Sequence, residues 1–479
     1  MAIFTPIKAA LAALACSTLL LALPSQAQRL PPDIATALAR AKVPPDAVSL
    51  LVQAADGNAR PRLNHRAEVS VNPASVMKLV TTFAALDLLG PDYTWKTRFY
   101  ADGPVRDGVL YGNLYIRGGG DPKLVLERIT AMFQALQARG VQKVRGDIVL
   151  DHSFFEPVAR DPAAFDGQAL SPYNATPDGL LVNFKSLILS FTPEPGSRTA
   201  QVRSEPPMAG VAIDAQVPLD SQVCGDWRGS LQADFSDPNQ VRFLGSYPVR
   251  CGERSWPVAY SDPASFARRV LQALYLGAGG TLDGMVRDGR TPPTAEWLMD
   301  APSQPLSELI ADVNKFSNNV MAQQVFLTLG AHDGQPGSFA ASRAVIAAWW
   351  PRSIGREVPA PTLENGSGLS REERTSARAL GQLLRRAASH PNGAVLAQSL
   401  SIAGVDGTTL RMRERGLAPE AMGRAQLKTG TLDGVASVAG YATGRSGRRY
   451  VVVGIVNHAN AAAARPALDA LVEWAVKEE

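Results

Sequence analysis

Strand and helix patterns stand at both ends of this 479-residue chain, and about 200 residues of Gly- and Pro-punctuated short strands separate them. Near the start, residues 47–54 form an apolar β-branched run, Asp56-Gly57-Asn58 is a turn signal, and residues 61–71 read as a second strand. A hairpin therefore opens the fold. Pro73-Ala74-Ser75 then leads into a helix whose apolar positions Val76, Leu79, Val80, Phe83 and Leu86 keep the 3.6-residue period as far as Gly90. At the other end, residues 425–431, 434–443 and 448–458 read as three strands, followed by a helix from Ala461. That helix carries Asp469, Glu473 and Lys477 on one stripe and apolar residues elsewhere, which suits packing on a sheet. The middle, with short strand-like runs at 112–117 and 144–150, reads as inserted β-rich material.

The length calls for more than one domain, and 46% apolar against 19% charged residues describes a globular chain. A net charge of +4 spread over the whole sequence gives no concentrated basic field, so nucleic acid is excluded as a partner. The first residues read as an export signal: a positive start to Lys8, a fifteen-residue apolar run from Ala9 to Leu23, then small residues to Ala27. Residues 1–27 are thus a cleaved signal peptide, with a retained anchor or lipidation at Cys16 as alternatives. The mature protein is expected to be exported, with at most loose membrane association. Removing the signal leaves Cys224 and Cys251 in an oxidising compartment, where they are expected to form a disulfide, two free thiols being the alternative. Closing that loop stabilises by about 3.5 kcal/mol in the chain-entropy model.

Lysine is scarce, ten among 48 basic residues, so its positions carry information. Ser75 is the only serine with a lysine, Lys78, three residues on. At a helix start that spacing puts a hydroxyl within reach of an amine, as a nucleophile and its base require. Lys428-Thr429-Gly430 lies on a strand, where Lys offers a charge, Thr a hydroxyl, and Gly close approach for a substrate backbone. That is a ledge for a carboxylate-ended peptide. Ser317-Asn318-Asn319 completes the order Ser-x-x-Lys, Ser-x-Asn, Lys-Thr-Gly.

With this motif set, the chain resembles the penicillin-binding protein 4 type of D-alanyl-D-alanine carboxypeptidase/endopeptidase, the class C low-molecular-mass group. The resemblance covers most of the mature chain. Gly118-Gly119-Gly120-Asp121-Pro122, Pro172-Tyr173-Asn174-Ala175, Asn365-Gly366-Ser367-Gly368-Leu369-Ser370-Arg371 and Ala403-Gly404-Val405-Asp406-Gly407-Thr408 support it. It implies an α/β (α+β) fold: a penicillin-binding/β-lactamase-like transpeptidase domain, antiparallel sheet flanked by helices, plus inserted β-rich domains. The peptidase domain would then be discontinuous, residues 28–95 and 293–479, around two nested domains within 96–292.

By the same resemblance, Ser75 is the acylated nucleophile and Lys78 its general base. Ser317 relays a proton to the leaving amine, and Asn319 holds Lys78 and the substrate amide. Lys428 and Thr429 grip the terminal carboxylate beside Gly430. The N–H groups of Ser75 and Thr431 form the oxyanion hole, and Ser367, Leu369 and Arg371 line the cleft rim. The implied partners are peptidoglycan stem peptides and β-lactam antibiotics; no cofactor or metal is implied, and the oligomeric state is left open. An acidic residue that receives a diaminopimelate ammonium in related enzymes has two candidates here, Asp161 and Asp166. Two other functions compete: a β-lactamase, which needs no insertion of this size, and a non-catalytic wall-binding or β-lactam-sensing module, against which the intact Ser75, Lys78 and Lys428 argue. His65, His152, His332, His390 and His458 are scattered without metal-ligand spacing, Gly118-Gly119-Gly120 reads as a turn, and Asp406 as a turn brace.

Overall fold

The computed structural model describes residues 29–57, 59–332 and 334–478. The expected signal peptide, Cys16 within it, and Asn58 of the first turn lie outside the described residues. The chain's two ends meet in one six-stranded antiparallel sheet. Its strands are β1 (Val48–Ala54), β2 (Leu63–His65), β3 (Ser401–Ile402), β4 (Ala425–Leu432), β5 (Val435–Thr443) and β6 (Arg449–Asn457), in the order β2-β1-β6-β5-β4-β3. The N-terminal strand pairs in full register with a C-terminal one, Val48 opposite Val456 and Ala54 opposite Tyr450.

Successive side chains of a strand point to opposite faces, and here both faces are covered. Val451, Val453 and Ile455 of β6 enter one core with α2 (Lys78–Leu88), α3 (Leu306–Lys315), α4 (Asn319–Leu329), α5 (Phe339–Ser353) and α6 (Ala377–Ala388). Tyr450, Val452 and Val456 enter the other, under α1 (Pro32–Arg40) and α7 (Arg465–Lys477). Burial on both faces explains the unbroken apolar run of β6. The polar stripe of α7 is covered as well: Asp469 bonds Arg415 through both oxygens, and Glu473 accepts from the Ala418 N–H.

Between α2 and α3 lies the β-rich region. Lys96–Ala101 and Glu296–Pro302, where the chain enters and leaves it, pair antiparallel at one side of a five-stranded sheet. A second five-stranded sheet is built around Ser186–Pro193, and one apolar core runs through both. Cys224 and Cys251 are disulfide-bonded beside that core. Among the described residues, no helix is long and apolar enough to cross a membrane.

Two expected strands differ in the structure. Of residues 61–71 only Leu63–His65 is strand; beyond it the chain leaves the sheet, and Val71 bridges to Thr375 instead. Asn72 then exchanges hydrogen bonds with Asn457 at the end of β6, which carries Ser75 under the sheet's edge. Residues 144–150 divide into Lys143–Val144 and Ile148–Asp151, which belong to different sheets.

Candidate active site

Ser75 sits in a single 3-10 turn, Ala74–Met77, that runs directly into α2, so Lys78 is the first residue of the α-helix. The entry is strained: Ala74 has φ of 48°, in the left-handed region that costs an L-residue about 1–2 kcal/mol. Asn72 holds it there by accepting from the Ala74 N–H at 2.8 Å, while its own amide donates to Ser370 O. On the other side, Ser437 of β5 donates to Pro73 O at 2.6 Å. The nucleophile turn is therefore clamped between the sheet and the 365–370 loop.

Lys78 is fully buried, and its amine has three neighbours. Asn319 Oδ1 lies at 2.6 Å, Ser367 O at 2.5 Å and Ser75 Oγ at 3.0 Å. The first two can only accept. A neutral amine has two N–H groups and one lone pair, so donating to both carbonyl oxygens aims the lone pair at the serine hydroxyl. Burial, then the charge of Lys428, hold this lysine well below its ordinary pKa, with Glu373 acting in the opposite direction. Glu373 is itself fully buried and pushed up by desolvation; its Oε1 accepts from the N–H groups of Glu364, Asn365 and Gly366. It thereby fixes the loop whose next carbonyl, Ser367 O, faces Lys78.

The second lysine, Lys428 on β4, is also fully buried, and desolvation lowers its pKa to about 7. Its amine lies 2.9 Å from Ser317 Oγ and donates to Thr429 O at 2.6 Å. Ser317 takes φ of 58° immediately before α4, whose Asn318 cap accepts from the Met321 N–H. Asn319 follows it, donating to Tyr173 O at 3.2 Å from the inserted region. Strand β3 pairs with Gln426 and Leu427, and among the described residues no strand pairs with the outer side of β4 from Lys428 onward. A side chain on Gly430 would stand 3.0 Å from Ser75 N and 2.8 Å from Pro73 O, which is why that position holds glycine.

The structure thus brings Ser75, Lys78, Ser317, Asn319 and Lys428 into one cluster, with Thr429, Gly430 and Thr431 lining the cavity beside Ser75. Leu369 and Arg371 line a second arm together with Phe165, Asp166, Tyr173, Leu432 and Asp433. Ser367 is the exception. Its hydroxyl is fully buried, donating to Asn365 and accepting from Gln323, so only its carbonyl serves the site. Of the two acidic candidates, Asp166 is in that arm, accepting from Tyr173 Oη at 2.8 Å and Asn174 Nδ2 at 2.9 Å. Burial raises its pKa, but those bonds, the Gln168 N–H and the Arg371 charge outweigh it and leave the carboxyl below its ordinary range. Asp161 only caps its own turn, accepting from Ala163 N. Asp406 braces the 402–406 turn, bonded to Ile402 N and Lys315. Glu373, Ser437 and Asn72 were not singled out from the sequence; no motif or spacing marks them.

A serine hydroxyl facing a desolvated amine, beside an antiparallel sheet flanked by helices, fits a serine-type peptidase of the penicillin-binding class. The D-Ala-D-Ala carboxypeptidase 3 (S13) family matches residues 30–478, and the chain belongs to that family. It is a serine carboxypeptidase, a peptidase of peptidoglycan. The D-alanyl-D-alanine carboxypeptidase of Actinomadura sp. (strain R39) is 31% identical over 399 residues, 81% of this chain and 73% of that one. The D-alanyl-D-alanine carboxypeptidase DacB of Haemophilus influenzae is 25% identical over 80% of each chain. In fold, the chain is similar to penicillin binding protein 4 from Haemophilus influenzae, with a TM-score of 0.72, 23% identity and coverage of 89% and 93%. It is also similar to a predatory endopeptidase from Bdellovibrio bacteriovorus, with a TM-score of 0.52, 15% identity and coverage of 90% and 93%.

Proposed function

We propose that this protein is an exported, periplasmic D,D-peptidase that uses Ser75 as nucleophile and cuts both terminal D-alanine and D-alanyl cross-links. The observation that supports it most is the Lys78 amine, whose two acceptors leave its lone pair for the Ser75 hydroxyl. In this reading Lys78 takes the hydroxyl proton as Ser75 Oγ bonds the D-alanyl carbonyl carbon. The N–H groups of Ser75 and Thr431 hold the resulting oxyanion, each such donor being worth about 3–4 kcal/mol of barrier. The proton returns through Ser317 to the leaving amine, the C–N bond breaks, and the acyl-enzyme remains. Lys428 and Thr429 hold the departing residue's carboxylate. Water, deprotonated by Lys78, then releases the shortened peptide and restores the serine.

In this reading Asp166, which lines the second arm and whose pKa is held below the usual carboxylate value, receives the ammonium of a diaminopimelate side chain from the donor stem. β-Lactams would acylate Ser75 in place of the peptide; a predatory endopeptidase from Bdellovibrio bacteriovorus with a similar fold is known in a penicillin G-acylated form. Digestion of purified muropeptides tests the reading. Pentapeptide monomers should lose one D-alanine and cross-linked dimers should yield monomers, with Ser75→Ala abolishing both. Intact substrates with the wild-type protein would refute it.

A further inference from the structure

The cavity of about 220 Å³ that opens at Ser75 does not end at the lysine-threonine ledge. It continues past Thr429 and Thr408, whose hydroxyls bond each other at 2.7 Å, and its far wall carries Arg411, Arg415 and Arg465. Arg411 lies in the short helix Leu410–Glu414, Arg415 caps that helix, and Arg465 is the first residue of α7. Asp469, one turn along α7, is buried and gives both oxygens to Arg415 at 2.7 and 2.8 Å. It is committed to that guanidinium. The guanidiniums of Arg411 and Arg465 have neither a hydrogen bond nor an ion pair among the described residues. Partial burial, then the charges of Arg415 and Arg411, hold the Arg465 pKa below its ordinary value, with Asp469 opposing them. The lining of the cavity that begins at the nucleophile thus carries three guanidiniums and one carboxylate, which is already bonded to Arg415. Such an excess of forked donors is suited to an anion with paired oxygens, and a peptide substrate supplies these as carboxylates.

We infer that Arg411 and Arg465 form a subsite for a second carboxylate, one borne by the leaving half of a cross-linked stem peptide. The inference rests on the peptidase reading above, in which Lys428 and Thr429 hold the carboxylate next to the scissile bond. A departing D-alanine has that carboxylate and no other, so nothing of it extends past Thr429. The leaving half of a cross-link is a peptide: it continues beyond the ledge and carries further carboxylates, its free C-terminus among them. The arginines are therefore specificity-determining residues that favour endopeptidase substrates over monomeric pentapeptides.

The test measures kcat/KM of the wild type, Arg411→Gln, Arg465→Gln and the double variant on three substrates. These are a pentapeptide monomer, a cross-linked dimer with a free acceptor C-terminus, and the same dimer amidated there. The double variant should lose about tenfold on the free-acid dimer, the scale of a lost charge-assisted bond, and no more than about twofold on the monomer or in penicillin acylation. The wild type should cut the amidated dimer at the double variant's reduced rate, an arm that stands even if a variant fails to fold. Unchanged dimer cleavage in the variants, equal losses on monomer and dimer, or indifference to amidation would overturn the subsite while leaving the peptidase reading intact. A wild type inert on all three substrates would overturn both.

Discussion

Two fully buried lysines share this site, and the charge of Lys428 bears on the protonation of Lys78. Lys78 is lowered by burial first and by Lys428 second, so removing the second cation should return part of the shift. In penicillin acylation, the rate should fall as pH drops through the Lys78 pKa, at a midpoint well below 10.5. Lys428→Met should move that midpoint upward; an unmoved limb would show that the charges are not coupled. Stability carries the same signature. From about pH 7 to 10.5 the unfolded chain keeps a lysine proton that native Lys428 has released, so this group makes unfolding free energy rise with pH across that window. Urea unfolding should show the wild type gaining on Lys428→Met between pH 7 and 9, and no gain would contradict the lowered pKa. These lysines were legible in the sequence because lysine is scarce and Ser75-x-x-Lys78 occurs once. Glu373 was not: within Arg371-Glu372-Glu373-Arg374 it reads as one more solvated charge, and only the fold shows it buried under three backbone N–H groups.

The elements that carry the site are held by close backbone approach. Gly368 has φ of 80°, and a Cβ there would stand 2.0 Å from Ala74 O, against the nucleophile turn. Gly368→Ala should therefore cost at least about 1–2 kcal/mol from the backbone alone, and should slow acylation by displacing Ser75. Wild-type melting and acylation in that variant would contradict the clamp. At this scale the periodic segments were the readable ones. The strands expected at 425–431, 434–443 and 448–458 end within a residue of Ala425–Leu432, Val435–Thr443 and Arg449–Asn457, because β-branched runs covered on both faces leave few alternatives. Residues 61–71 were misread for a tertiary reason. Their alternation suits a strand, but the chain has to leave the sheet at His65 to reach Asn457 and the 370 loop, and neither partner is visible locally.

Over the whole molecule, chemistry and access come from different parts of the chain. The ledge belongs to the two-ended sheet and the nucleophile and base to the turn and helix packed on it, whereas Tyr173 and Asp166, which wall the second arm, come from the inserted region. That contribution was foreseen only through the resemblance, since nothing in the spacing of Asp161 and Asp166 says which one reaches the cleft. The disulfide lies in the inserted region, closing a separation of 27 residues away from the motif residues. Replacing both cysteines with serine should lower stability by about 2–4 kcal/mol in denaturant unfolding and leave penicillin acylation unchanged; lost acylation would tie the insertion to the nucleophile directly. The central claim is that one hydroxyl, next to an uncharged amine, is the acylated atom. Intact-mass and peptide mapping of protein treated with penicillin test it most directly. One adduct on the peptide containing Ser75, absent from Ser75→Ala, is the predicted result; no adduct, or one mapped to another residue, would contradict it.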